Sequence, residues 1–373
     1  MKVLVDCHSL EKEKTGKPFF TLNLLYGISE IKNESKDFEF FLACKKAFDL
    51  GFSLPQNFRF LELGEKTLNF HLNLIKKTFS KEFDIFWSAT SFIPASFSKT
   101  PTVSFIYDLV SFIRSEFKKN KKAEILEKLL IGRVLKNSDR IITISESTKK
   151  DLLKMFPKYE SKTFVIKGAP RFYPESKESD ESIIKKYGLE KNKYIFYLGT
   201  IEPRKNILNL IQSFNDAFLR KKRKCNDIPY LVLAGKKGWY FDEIFSTLEK
   251  LELKEKIKFL GYTPDENVPA LIRNCLFFSY IPFYEGFGLP IVEAISFGKS
   301  CLTSNTSSLP EALGNCGIAV SPNNTEEIKN AILSLWSDEK LRKVFENNTK
   351  EWRKKFDRKE NAKKLIKIFR SLK

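Results

Sequence analysis

Two acids, Glu285 and Glu293, flank seven residues that hold two glycines and a proline in the stretch YEGFGLPIVEA, residues 284–294. Pro290 suits the first turn of a helix, where its missing N–H costs nothing. Gly298 suits the left-handed position just past a helix end, so a helix over 289–297 is predicted. Gly286 and Gly288 let the backbone come close to a ligand. The amides of Gly286, Phe287, Gly288 and Leu289 then point outward at the positive helix end, which suits a phosphate. Carboxylates accept hydrogen bonds, and the natural donors beside a phosphate are sugar hydroxyls. A sugar diphosphate fits, with one acid for each sugar. A plainer reading makes Glu293 a dipole-stabilised helix acid worth about 0.3–1 kcal/mol. A lone GFG is also weak by itself, because no complete GxGxxG or P-loop string occurs.

The stretch LGTIEPRKNILNL, residues 198–210, adds a strand end, a glycine turn and Arg204-Lys205-Asn206 opening a helix. Guanidinium and ammonium groups stay charged at neutral pH and donate several hydrogen bonds, which suits a diphosphate leaving group. Cations are disfavoured at the start of a helix, so their placement implies an anion nearby.

The elements that carry these loops are legible as apolar runs. Residues 2–7, 38–44, 84–89, 102–110, 140–145 and 163–167 read as strands, with helical periodicity between most of them. A polar, proline-punctuated crossover (GAPRFYPESKESDESIIKKYGLEKNK) comes next. Strands then resume at 194–200, 229–235, 257–262, 275–280 and 300–305. Such alternation predicts parallel sheets covered by helices. Two similarly built α/β halves place a ligand in a cleft, at the carboxyl ends of the strands. A length of 373 residues agrees with two domains, at roughly 150 residues each.

Composition sets the outer bounds. No run approaches the ~20 apolar residues that span a bilayer, and the N-terminus MKVLVDCHSL lacks the features of a signal peptide. Six scattered cysteines with no CxxC pair argue against zinc or a disulfide framework and for reduced thiols in the cytoplasm. The formal charge of +19 admits nucleic acid, an anionic membrane or an acidic substrate as partner, beside a plain lysine-rich bias. Nucleic acid is disfavoured, because the aromatics sit in apolar runs and are not interleaved with Lys/Arg on an exposed stripe. In residues 65–83, Leu68, Leu72, Ile75 and Phe79 recur at helical spacing, with Lys66, Lys76, Lys77 and Lys81 elsewhere on the wheel. Such a helix can rest on an anionic bilayer or pack on its own domain.

EGFGLPIVEA resembles the double-glutamate signature of the family-4 retaining glycosyltransferases, which have the GT-B fold. LGTIEPRKNI is similar to their diphosphate loop and KFLGYTPDENVPALIRNC to their nucleotide-base segment, while SSLPEALGNCGIAVSPNN resembles their segment just after the signature. In the first half, TGKPFFTLNLLYGI, VSFIYDLVS and SDRIITISESTKKDLLKMF resemble the first glycine loop and the acceptor-side segments. The resemblance implies two Rossmann-like domains facing each other across a cleft. They are an acceptor domain over residues 1–170 and a nucleotide-sugar domain over 171–352, with a C-terminal helix, 353–373, crossing back onto the first. It implies no cofactor and no metal. Arg204 and Lys205 would stabilise the departing diphosphate, Glu285 would hold the transferred hexose, and Glu293 the ribose. Thr200, Gly261, Tyr262 and the amides of residues 286–289 would complete the donor site, and Gly16, Tyr107 and Asp108 would lie on the acceptor side. Many relatives carry arginine at the position of Thr200 and histidine at that of Tyr107. His8 or His71 can in principle stand in for the latter, against the commoner reading of a structural histidine.

The implied reaction moves a hexose, mannose from GDP-mannose, to a glycan or lipid-linked saccharide in bacterial surface polysaccharide or lipopolysaccharide synthesis. Its place would be the cytoplasm, peripheral on the inner membrane. A UDP-sugar transferase, a GT-B epimerase or phosphorylase, a nucleotide-sugar-binding protein with weak catalysis and a nucleic-acid-binding protein are the alternatives.

Overall fold

The computed structural model describes residues 1–11, 16–117, 121–219, 228–239 and 241–372. Two compact units divide the chain, Met1–Ala169 with Asp357–Lys373, and Pro170–Phe356. The boundaries expected from the sequence, 170/171 and 352/353, lie within a few residues of these.

In the N-terminal unit, β1 (Lys2–Asp6), β2 (Glu39–Cys44), β3 (Phe58–Glu62), β4 (Ile85–Ser88), β5 (Thr102–Ile106), β6 (Arg140–Thr143) and β7 (Thr163–Val165) form one parallel sheet, in the order β3-β2-β1-β4-β5-β6-β7. Central strands such as IFWS and TVSFI are buried throughout, as a sheet covered on both faces requires. β3 has no counterpart among the expected strands. Its sequence FRFLE is only partly buried because it pairs on one side alone, and an edge strand needs no unbroken apolar run. The apolar run at 102–110 also breaks early. The strand stops at Ile106, leaving Tyr107 and Asp108 in the loop before a short Val110–Ile113 helix.

The C-terminal unit holds β8 (Tyr194–Leu198), β9 (Tyr230–Ala234), β10 (Ile257–Gly261), β11 (Phe277–Tyr280), β12 (Cys301–Ser304) and β13 (Gly317–Val320), parallel in the order β10-β9-β8-β11-β12-β13. β13, GIAV, is likewise absent from the expected strands and is also an edge strand.

Each sheet reverses its order once. β1 lies between β2 and β4, and β8 between β9 and β11. At such a switch point the loops leaving neighbouring strands diverge to opposite faces and open a crevice at the carboxyl ends. In the C-terminal unit those loops are Gly199–Asn206 after β8 and Ile281–Gly288 after β11, the two stretches singled out by their chemistry.

The last helix, Arg358–Arg370, belongs to the N-terminal unit and packs along Lys17–Glu30. Arg358 forks onto Glu30 at 2.6 and 3.4 Å and stacks on Tyr26, while Asn361 donates to the Lys167 carbonyl at 2.7 Å. Gly27 makes this approach possible, since a Cβ there would stand 2.4 Å from the Arg358 carbonyl oxygen. Gly27→Val should therefore push the two helices apart and destabilise the unit by about 1–3 kcal/mol. A lowered thermal midpoint reads this out, and an unchanged midpoint would show that the helices do not meet here.

Candidate functional site

The Gly199–Asn206 loop ends in a single turn of 3-10 helix, Pro203–Lys205, closed by Asn206 in the left-handed conformation (φ 59°). The α-helix begins only at Ile207, so Arg204 and Lys205 stand just ahead of it, whereas the sequence pattern places them within the helix start. Asn206 is pinned by its side chain, which donates to the Pro322 carbonyl at 2.7 Å. The loop after β11 is tied to this turn, with the Phe283 amide donating to the Arg204 carbonyl at 3.0 Å and Arg204 Nη1 donating to the Tyr284 carbonyl at 3.1 Å.

Glu285 therefore meets both cations. Its Oε1 lies 3.0 Å from Arg204 Nη1 and is also bonded by Lys205 Nζ. Tyr280 Oη donates to the same oxygen at 2.7 Å and lies 2.7 Å from Lys205 Nζ. The backbone of Glu285 is fixed on both sides, its amide donating to Ser307 Oγ at 3.0 Å and its carbonyl accepting from Ser308 Oγ at 2.9 Å. Burial alone would raise the Glu285 pKa, but Arg204 and Lys205 outweigh it and hold the carboxyl below its usual range. Burial and the neighbouring guanidinium press Lys205 downward, against the pull of Glu285. The anion that the two cations imply is, in this structure, the Glu285 carboxylate.

After Glu285 the chain turns into a helix, Leu289–Ser296, one residue shorter than predicted. Gly288 caps it at φ 93°, and a Cβ there would strike Leu309 at 2.8 Å, so both conformation and space select glycine. The Phe287 side chain is buried against Phe356, which leaves its backbone as the part a ligand can use. In the first helical turn Pro290 brings no N–H and the Ile291 amide donates to the Gly288 carbonyl at 3.0 Å, so the amides offered to a ligand are those up to Leu289.

Glu293, expected to grip a ribose, is 1 % exposed and already engaged. Arg171 Nε donates to Oε1 at 2.6 Å, Arg171 Nη2 to Oε2 at 2.9 Å, and Tyr173 Oη to Oε2 at 2.5 Å. Burial pushes the Tyr173 hydroxyl well above its ordinary pKa, so it stays a donor. A ribose hydroxyl reaches this carboxylate only by entering or displacing that shell.

Thr200 receives a hydrogen bond on its carbonyl from Tyr197 Oη at 3.2 Å, and its side chain brings no charge to replace the arginine of many relatives. Gly261 ends β10 at φ 68° beside open space, and Tyr262 next to it is 64 % exposed with Lys236 over its ring. In the N-terminal unit, Gly16 caps the Lys17–Glu30 helix at φ 43°, and Asp108 lies 3.8 Å from Lys17. The Tyr107 side chain is buried, with its hydroxyl 3.0 Å from the Thr21 hydroxyl. Among the described residues no group of His, Cys, Asp and Glu is arranged to hold a metal, and no helix is long and apolar enough to cross a membrane.

Residues 179–352 match the family described as glycosyl transferases group 1. That match lies within the C-terminal unit. Among its relatives, O-antigen chain mannosyltransferase B of Escherichia coli is 32 % identical over 244 residues, 65 % of this chain and 63 % of that protein. The N-acetylgalactosamine-N,N'-diacetylbacillosaminyl-diphospho-undecaprenol 4-alpha-N-acetylgalactosaminyltransferase of Campylobacter jejuni is 26 % identical over 254 residues, 67 % of this chain and 65 % of that one. The chain thus spans less than two thirds of either relative. The solved structure of HepE from Anabaena, in complex with UDP and glucose, superposes over 100 % of both chains with a TM-score of 0.76 at 17 % identity, which shows the GT-B fold.

Several residues of the C-terminal unit carry no signal that sequence reasoning could use. Ser307 and Ser308 lie in a segment notable for its resemblance, but nothing in SSLPEAL alone says that they clamp Glu285. Arg171 and Tyr173 sit in the crossover, which reads only as polar chain, and no local pattern links them to a helix 120 residues on. Removing Arg171 leaves Glu293 buried and short of its main partner. Arg171→Met should cost about 3–5 kcal/mol of unfolding free energy in urea, and Tyr173→Phe about 2 kcal/mol. An Arg171→Met protein as stable as the parent would mean that the pair does not form.

Proposed function

We propose that the protein transfers a hexose, mannose from GDP-mannose, to a glycan or lipid-linked saccharide of bacterial surface polysaccharide, with retention of configuration and without a metal. The observation that carries this reading is the Glu285 cluster, a buried carboxylate facing Arg204 and Lys205 at the switch point of the C-terminal sheet. A diphosphate entering there takes over part of the cations' hydrogen bonding, which frees Glu285 to accept from sugar hydroxyls. Arg204 and Lys205 then face the charge that develops as the diphosphate leaves, an arrangement worth on the order of 3 kcal/mol per group. In a front-face displacement the departing phosphate takes the acceptor proton, so no protein base is needed. The choice of mannose is supported by the name of the Escherichia coli relative. A UDP-sugar is the second reading, supported by the ligands of HepE.

The same proposal includes a peripheral membrane position. The Thr67–Phe79 helix packs through Phe70, Leu74 and Thr78, which leaves Leu68 70 %, Leu72 49 % and Phe79 53 % exposed. This helix and Lys121–Asn137, which exposes Ile125 and Leu129, both pack on Phe92–Phe97, whose Phe97 is also exposed. Exposed Lys66 and Lys76 lie on the first of these helices or at its start. Apolar side chains with lysines beside them suit an anionic bilayer surface, and so does a diphosphate-linked lipid acceptor.

A thermal-shift panel tests the donor. GDP and GDP-mannose should raise the midpoint more than UDP and its sugars through mass action, and Lys205→Ala should slow GDP release from GDP-mannose by about 100-fold. Equal shifts from both bases would remove the GDP assignment, and no shift from any nucleotide would remove the transferase reading. Sedimentation with liposomes containing phosphatidylglycerol should retain the protein at low salt, with Leu68→Ser/Leu72→Ser weakening it. Indifference to those liposomes would end the membrane assignment.

A further inference from the structure

The chain has only two histidines, and both lie in one cluster of the N-terminal unit, with the His8 and His71 rings 5.1 Å apart at 79°. Phe70 packs against both. Beneath them is Asp6, the last residue of β1, completely buried. His8 Nδ1 stands 2.7 Å from Asp6 Oδ1, and the His8 amide donates to the same oxygen at 3.4 Å. The loop leaving β4, the neighbouring strand, brings Thr90, whose hydroxyl donates to Ser9 Oγ at 3.2 Å, and Ser91, whose Oγ is 3.5 Å from His8 Nδ1. β1 is where the order of this sheet reverses, so the cluster occupies the carboxyl-end position at which open α/β sheets take ligands.

A purely structural Asp–His pair would leave nothing unsatisfied. Here His71 Nδ1 is buried with no hydrogen-bond partner among the described residues, and Asp6 Oδ2 with none of ordinary geometry, although the Ser91 hydroxyl lies close enough to help hold the Asp6 carboxyl below its usual pKa. Each such atom is expensive to leave bare, by about 1–3 kcal/mol, and calls for a reason other than stability. The Asp6 contact assigns the His8 proton to Nδ1, which leaves the Nε2 lone pair as an acceptor. This is the same division of labour by which a carboxylate orients an imidazole towards a hydroxyl in hydrolases. His8 keeps 21 % of its side-chain surface. Hydroxyls and imidazoles beside an aromatic ring match a polyhydroxyl ligand, and Asp6 and Glu11 nearby disfavour an anion.

We propose that Asp6 and His8, with the hydroxyls of Ser9, Thr90 and Ser91, form the acceptor-sugar site, in which an acceptor hydroxyl donates to His8 Nε2. The proposal rests on the transferase reading and gives the role expected of Tyr107 to a different residue. His8 acts as a binding residue, and the transfer itself needs no proton from it. The charged and titratable groups around His8 are Asp6, Glu11, Lys45 and His71. Burial alone would lower its pKa, but Asp6 reverses this and raises it above 6.5, with Glu11 assisting and Lys45 opposing. His71 moves the other way, through burial and its neighbour His8. Protonation puts a hydrogen on Nε2, so acceptor binding should fade as the pH falls through the raised His8 value.

Two histidines give two sets of imidazole signals, which allows a direct reading by NMR. Methyl α-D-mannopyranoside, titrated with and without GDP up to about 100 mM, well above a millimolar Kd, should move the His8 ring signals. His8→Asn keeps a donor for Asp6 but removes Nε2, and should weaken glycoside binding about tenfold, the loss of one hydrogen bond. The shift that GDP produces in the thermal midpoint should not change. Unmoved His8 signals at the highest glycoside concentration, or parental affinity in His8→Asn, would overturn the proposal while leaving the donor site standing. Absence of any nucleotide-induced shift would instead fault the transferase reading, and the nucleotide-free titration would still decide the role of His8.

Discussion

A carboxylate removed from water must be matched by cations or protonated, and in this protein that constraint organises the C-terminal unit. Glu285 retains 13 % of its side-chain surface, and Arg204 and Lys205 close on one of its oxygens. Each of the three would be costly alone in such a place; together they compensate one another's charge, and the two cations keep Glu285 ionised. The mutual attraction also fixes two loops that belong to different strands, so the electrostatics and the geometry of the turn depend on each other. A ligand that carries its own negative charge finds two cations here, and one that also carries hydroxyls finds an acceptor in Glu285. This is why a sugar diphosphate suits the site better than a neutral or cationic molecule.

Glu293 answers the same constraint differently. Arg171 and Tyr173 saturate it from the segment that enters the unit, so its charge is compensated inside the fold whether or not a ligand is present. The two glutamates look equivalent in the sequence, yet one is paired with groups suited to a leaving diphosphate and the other is built into the body of the domain. Any role of Glu293 towards a ribose depends on how its Arg171 partner yields or shares.

Much of this is legible in the sequence because the informative signals are local. Proline and glycine punctuate the Leu289–Ser296 helix, and buried parallel strands show as short apolar runs. The strands that escape such reading, Phe58–Glu62 and Gly317–Val320, lie at sheet edges, where one-sided pairing relaxes the demand for apolar residues. The setting of Tyr107 is also hidden, because an aromatic hydroxyl next to Asp108 gives no sign of whether it faces solvent or Thr21. Partners distant in sequence, Arg171 for Glu293 and His71 for His8, leave no periodic trace. Only the folded backbone brings them together.

The mechanism turns on where a diphosphate binds, and a crystal structure of the protein with GDP-mannose tests that most directly. The expected complex has diphosphate oxygens within hydrogen-bond distance of Arg204, Lys205 and the amides that open the Leu289–Ser296 helix, with Glu285 turned to the hexose hydroxyls. A donor bound elsewhere, with the Glu285–Arg204–Lys205 contacts unchanged, would contradict it.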